Sequence, residues 1–230
     1  MNSRLIVHSE EGLKESPNRE TPDFPRPLKI VAHLISYVFH PVFVPVYIVA
    51  YLVFIHPYFF AGFSPFDRSR TLIMSIMMYS FFPLVTVGLL KALKFIDSVK
   101  LNTTKERIIP LAACGIWYFW IWNVWRNLPD YPEAALTLSR GIMLSVFMAW
   151  LGNIVMKISL HGISMGALVG YFILLGFEVT MNMGLYIAIS VFIAGLVCTS
   201  RFIVSDHDNK ELYGGLALGM LSMWLAHLFS

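Results

Sequence analysis

Charge is what this chain has least of. Only 13% of its 230 residues are Asp, Glu, Lys or Arg, against 57% hydrophobic, and its mean hydropathy is +0.67. Such a composition excludes an ordinary soluble domain and points to a chain that lives in lipid. The net charge of +3 is too small to argue for a nucleic-acid partner. Cysteine is scarce as well. Cys114 and Cys198 lie in or beside apolar runs, far apart and outside any CxxC pair, so neither a disulfide framework nor a zinc site is suggested. Nothing in the first residues reads as a cleavable signal peptide. Residues 1–27 are polar, with Glu10, Glu11, Glu15, Pro17, Asn18 and Pro22 among them. The expectation is a soluble, mobile tail that stays on, followed by a membrane domain over 28–230.

What is present is a series of apolar runs. The first is Leu28 to Ile55, interrupted by His40, Pro41 and Pro45. About 20 residues cross the hydrocarbon, so one span fits, kinked or starting near the prolines. The next spans are predicted at about 71–90, 109–125, 141–156, 162–179, 184–198 and 212–229. An aromatic loop at 56–70 and a polar stretch at 126–140 separate some of them. The predicted fold is therefore all-α, a polytopic transmembrane bundle of about seven spans, or six if the first run is only interfacial.

Seven spans place three polar breaks on one side: 91–108, 157–161 and 199–211. Lys and Arg are in excess there, which predicts that this side faces the cytoplasm. The fifth span carries Gly162, Gly166 and Gly170, and the seventh carries Gly215 and Gly219. Rows of small residues four apart let helices approach closely. Packing these two together would bring the second break beside the third.

The third break holds the densest polar cluster. Ser200 to Glu211 contains Arg201, Asp206, His207, Asp208, Lys210 and Glu211, and ionisable groups beside spans are expensive without a use. His207 and Glu211 stand four apart, so on a helix the carboxylate would reach the imidazole one turn away and fix its tautomer. The other breaks add Lys100 and Arg107, then Ser159 and His161. Three cations, two histidines, a hydroxyl and a carboxylate suit phosphoryl transfer without a metal. The cations neutralise phosphate oxygens, one imidazole attacks phosphorus, and the other protonates the leaving oxygen. Backbone N–H groups where the helix opens at Gly162 could add to an anion site.

Over about residues 71–230 the layout resembles the type 2 phosphatidic acid phosphatase superfamily, whose pattern is K-x6-R-P, P-S-G-H and S-R-x5-H-x3-D. Lys100 is followed after six residues by Arg107, then by Ile108 where the pattern has proline. Ile158-Ser159-Leu160-His161 keeps the serine and histidine. Ser200-Arg201 is followed by His207 and Glu211 at the family spacing, with Glu for Asp. The resemblance implies His207 as the nucleophile that forms a phosphohistidine, Glu211 as its orienting carboxylate and His161 as the acid. It implies Lys100, Arg107, Ser159 and Arg201 as the phosphate-binding set. It further implies no metal and no cofactor. The substrate would be a membrane lipid phosphate or diphosphate, such as a polyprenyl diphosphate, phosphatidate, phosphatidylglycerol phosphate or lipid A. The location would be the bacterial inner membrane. Leu160 stands where the family's glycine lets backbone approach the anion, and Glu211 is one methylene longer than Asp.

Other readings of the sequence remain. A phosphatase-like fold could bind a phospholipid without cleaving it, or pass its phosphoryl group to a second lipid. Gly162 to Gly166 matches G-x-S-x-G around Ser164, but that motif needs a strand-turn-helix context, and packing glycines are the better reading. His33, His40, His56 and His227 read as isolated interfacial or packed histidines, and Glu178 as an interfacial charge.

Overall fold

The computed structural model describes residues 5–8, 12–15, 24–98, 104–155, 157–204 and 208–229. Within the N-terminal tail, β1 (Leu5–His8) and β2 (Gly12–Glu15) pair antiparallel, Leu5 opposite Glu15. Everything described after residue 25 is helix or the turns between helices.

The first apolar run is not one helix. α1 (Arg26–Val38) stops, residues 39–43 turn, and α2 (Val44–Ala50) continues into a π-helical turn, Tyr51–Ile55. The prolines explain the break. Pro45 has no N–H to donate and suits the first turn of a new helix, and Pro41 disfavours helical geometry at His40. α1 packs on α8 (Gly184–Val204). α2 runs inward instead, where the Tyr51 ring meets Phe172 and Tyr186. At 13 residues α1 is too short to span.

The next rod is continuous from Pro65 to Ala92. It comprises α3 (Pro65–Ser75), a π-helical segment Ile76–Phe81, and α4 (Phe82–Ala92). Its start is written locally. Ser64 caps it by accepting from the Asp67 N–H, Pro65 sits at the first helical position, and Asp67 favours the positive end of the dipole. It begins six residues earlier than the predicted span because a capped amphiphilic turn precedes the apolar run. α5 (Thr104–Arg126) and α6 (Glu133–Val155) follow. The fourth span was expected to begin at about Gly141, after the polar stretch 126–140, yet α6 already starts at Glu133. Arg140 is carried inside that helix by donating to the Ala226 carbonyl at 2.7 Å.

α7 (Leu160–Glu178) and α9 (Asn209–Leu228) form the tightest pair in the bundle. A Cβ at Gly166 would overlap the Leu216 carbonyl, and one at Gly219 would overlap the Ile163 carbonyl. The glycine rows therefore do what their spacing predicts and allow backbone to lie on backbone. α6 covers this pair, and α5 lies against α6. The core is filled by large side chains such as Trp125, Tyr79, Tyr171, Met165 and Leu175.

Five described helices are long and apolar enough to cross a membrane: 65–92, 106–126, 133–154, 160–178 and 184–204. Two of the seven expected spans fall short of that measure. The first is divided at the prolines, and α9 is diluted by Glu211, Tyr213, three glycines, Trp224 and His227. α9 is nonetheless built into the bundle's interior, with Leu212, Met223 and Ala226 fully covered.

Candidate functional site

α7 leaves one end of the bundle and α8 returns to it, so Leu160 and Val204 lie at the same end. α5 and α9 start there, and α6 finishes there. The connections that carry the three motifs therefore gather at one end. The remaining question is which side chains meet.

Arg107 joins the first motif to the second. It is 5% exposed, and its Nη1 donates to the Ile158 carbonyl at 2.7 Å and to Asn153 Oδ1 at 3.3 Å. Asn153 is itself buried and fixed, donating to the Ala149 carbonyl and accepting from the Ile158 N–H. Burying a guanidinium is costly unless its protons find acceptors, and the turn at Ile158 supplies one.

Ser159 joins the second motif to the third. Its N–H donates to the Glu211 carbonyl at 3.1 Å. Its Oγ accepts from the Gly162 N–H at 3.3 Å and so caps α7. One of the backbone donors expected for an anion is thus already taken by Ser159. Glu211 has a related task. It is buried at the third position of α9, and its Oε2 accepts from the Asp208 N–H at 3.2 Å, while Asp208 caps in return. Asp208-x-x-Glu211 is a capping box. α9 starts at Asn209 behind an extended Asp208 cap, and the expected one-turn relation of Glu211 to His207 falls on a residue that is not described. His207 and Lys100 lie outside the described residues.

His161 occupies the first turn of α7. Its Nε2 lies 3.1 Å from the Ser36 carbonyl. A carbonyl only accepts, so that nitrogen carries a proton. The His40 ring packs against His161 edge to face, with centroids 5.4 Å apart. Arg201, in the last turn of α8, is near enough for its charge to act on His40. Burial first, and that guanidinium second, hold the His40 imidazole down at about 4.

These groups open onto a cavity of about 720 Å³. Its polar part is lined by Arg107, Lys157, His161, Arg201, His40 and His33. Its remainder is apolar, with Ile48, Val87, Leu111, Val146 and Met223 in the wall. Among the described residues, no group of three or more His, Cys, Asp or Glu side chains gathers where it could hold a metal ion.

Of the predicted site residues, Arg107, His161 and Arg201 face one cavity. Ser159 and Glu211 lie directly behind it and hold helix ends. Sequence reasoning missed His40, Lys157 and the buried bracket Asn153. His40 had a signal, since a histidine followed by Pro41 and Pro45 marks a helix break rather than a packed helix face. Glu178 and His227 are not separate interfacial residues either. They pair at 2.9 Å at the far end of the bundle.

A scan against protein-family models and searches of curated proteins and of solved structures find no match to this chain. The fold and site themselves define an all-helical bundle, compatible with an integral membrane protein, that opens a cationic, histidine-lined cavity at one end.

Proposed function

We propose that this chain is a metal-independent lipid phosphate phosphatase of the type 2 phosphatidic acid phosphatase kind. One observation carries the reading. A single cavity combines two guanidiniums, a lysine and three imidazoles with an apolar wall. Cations neutralise a phosphate dianion, and the apolar part accepts the chain attached to it. Neither half would serve a soluble metabolite as well.

The chemistry runs in two displacements. A nitrogen of His207 attacks phosphorus, the bond from phosphorus to the lipid oxygen breaks, and His161 gives that oxygen its proton. Water then attacks the phosphohistidine, the N–P bond breaks, and His161 recovers a proton as phosphate is released. Arg107, Arg201 and Lys100 hold the phosphoryl oxygens. Ser159 and Glu211 keep the two helix starts in register, and Glu211 is also the carboxylate for His207.

The same reading includes the finer topology. The stretch from α2 through its π turn into the 56–63 loop, short of a full helical span, serves as the first of seven crossings and α9 as the last, α1 lies at the surface of the motif end, and the protein resides in the bacterial inner membrane. A second reading has one observation in its favour. The Ser159 hydroxyl and the Glu211 carboxylate each serve as helix caps, which suits a site that binds or transfers a lipid phosphate without hydrolysing it.

The deciding experiment is phosphate release from a panel of lipid phosphates in detergent with EDTA. Wild type should release phosphate and be inhibited by vanadate, and His207→Ala should release none. Release that needs Mg²⁺, or that survives the substitution, defeats the mechanism. No release from wild type moves the assignment to the binding or transfer reading.

A further inference from the structure

We propose that His40 is a further residue of the phosphate site: a hydrogen-bond donor to the phosphate, placed beside His161 and Arg201 by the break between α1 and α2. The ligand it implies rests on the reading above. The placement rests on contacts that stand without it.

The break is attached to the site at several points. The Ser36 carbonyl, in the last turn of α1, holds His161 at 3.1 Å. Ser80, in the π-helical segment of the long rod, donates from Oγ to the Val42 carbonyl at 2.7 Å. The His40 ring is therefore fixed from both sides and packs against His161 at 85°. It lines the same cavity as Arg107, Lys157 and Arg201.

Its tautomer follows from its neighbour. The Val42 N–H donates to His40 Nδ1, at a long 3.5 Å, so Nδ1 carries the lone pair and Nε2 carries the proton. A neutral imidazole of this form is a donor and adds no charge to a site that is already cationic. Among the described residues, the charged and titratable groups lining its cavity are His161 from α7, Arg201 from α8, Arg107, Cys114 and Tyr118 from α5, Lys157 from the turn before α7, and His33 and Tyr37 from α1. None of these is a carboxylate. Burial and Arg201 keep His40 neutral, and an arriving dianion offsets the second of those effects. A donor that strengthens as the anion arrives is what a phosphate site needs.

The ligand chemistry is a phosphate dianion, whether free orthophosphate or a lipid headgroup. The test uses both. Orthophosphate binding to full-length protein in detergent is measured by calorimetry at pH 7 for wild type, His40→Ala and His40→Gln. Binding to vesicles of phosphatidylcholine with and without phosphatidate is measured alongside. Gln places an N–H close to where Nε2–H stood, and Ala places none. The expected result is orthophosphate affinity weakened roughly ten- to a hundredfold in His40→Ala and largely restored in His40→Gln, the range of one hydrogen bond to a charged group. The phosphatidate-dependent vesicle binding should fall in the same order if headgroups use the site. If only orthophosphate binding falls, the natural ligand is the free ion. Circular dichroism and thermal unfolding of both variants separate this from misfolding.

Equal affinity in wild type and His40→Ala overturns the inference, as does a folded His40→Gln that binds no better than Ala. Wild-type protein that binds neither form of phosphate overturns it too. If the His40 effect is present but wild type hydrolyses no lipid phosphate, the inference stands and the phosphatase reading falls. Hydrolysis with no His40 effect gives the reverse.

Discussion

The two ends of this bundle treat their polar side chains differently. Where α7 starts, Arg107, His161, Arg201 and His40 surround a cavity, and the groups behind them bond to backbone: Arg107 to Ile158, Ser159 to Gly162, Glu211 to Asp208. Where α7 stops, side chains close on one another. Glu178 pairs with His227, Arg140 reaches the Ala226 carbonyl and Glu133, and Tyr131 stacks on Trp125 while its OH bonds to Thr71. The same helices make both ends. The difference lies in what arrives between them. At the far end, aromatic rings fill the gap. At the motif end, the α1–α2 break stands off and leaves space lined by cations. One end is closed by side chains and the other keeps a cavity.

The largest effect that would sharpen this contrast is at His161. In the proposed mechanism it is the acid for the leaving oxygen and contributes to turnover rather than to holding the phosphate. His161→Gln keeps a donor near the Ser36 carbonyl but cannot release a proton. Lipid phosphate hydrolysis should fall roughly 10²- to 10⁴-fold in kcat, with orthophosphate affinity within a few-fold of wild type. The measurement is single-turnover phosphate release beside calorimetry. A variant with lost binding and intact kcat would assign His161 to the phosphate-holding set and remove the acid from the mechanism.

Next in size is the seam that connects the two ends. α7 and α9 touch backbone to backbone at Gly166, where any side chain would meet the Leu216 carbonyl. Gly166→Leu must push the helices apart. Overpacking of this kind costs roughly 1–3 kcal/mol. The seam also carries the Ser159 N–H to Glu211 carbonyl bond at the motif end. Thermal stability and hydrolysis should therefore fall together, with Gly166→Ala intermediate. An unchanged unfolding temperature in Gly166→Leu would mean the two helices are not in backbone contact.

How much of this was legible beforehand divides along the same line. The helices, their order and the glycine seam could be read directly, because apolar runs and small residues four apart are local patterns. The gathering of Arg107, Ser159, His161, Arg201 and Glu211 at one end followed from alternation of spans, although only five described helices meet the length and apolarity of a span and the first run is divided at Pro41 and Pro45. Glu211 was readable in a second way that spacing to His207 obscured, since Asp208-x-x-Glu211 is a capping box. The cavity and His40 were not legible. They depend on Ser36 meeting His161 across 125 positions, and no local pattern encodes a contact of that range. The pairing of Glu178 with His227 was hidden for the same reason.

That pair supplies the smallest and most selective effect. Glu178 and His227 are both partly exposed, with side-chain exposures of 29% and 38%. An ion pair in that setting is screened, and it is complete only while the histidine is protonated, so its share of stability is at most about 1 kcal/mol. Glu178→Gln keeps the size of the side chain and an oxygen to accept a hydrogen bond. It removes only the charge. The far end should loosen slightly, seen as a small fall in unfolding temperature that shrinks further as salt is added, because a partly exposed pair is screened. Orthophosphate affinity and hydrolysis should not move, because the pair lies at the opposite end of α7 from His161. A change in turnover without a change in stability would connect the two ends through α7 and α9, and the division between a structural end and a ligand-holding end would no longer describe the molecule.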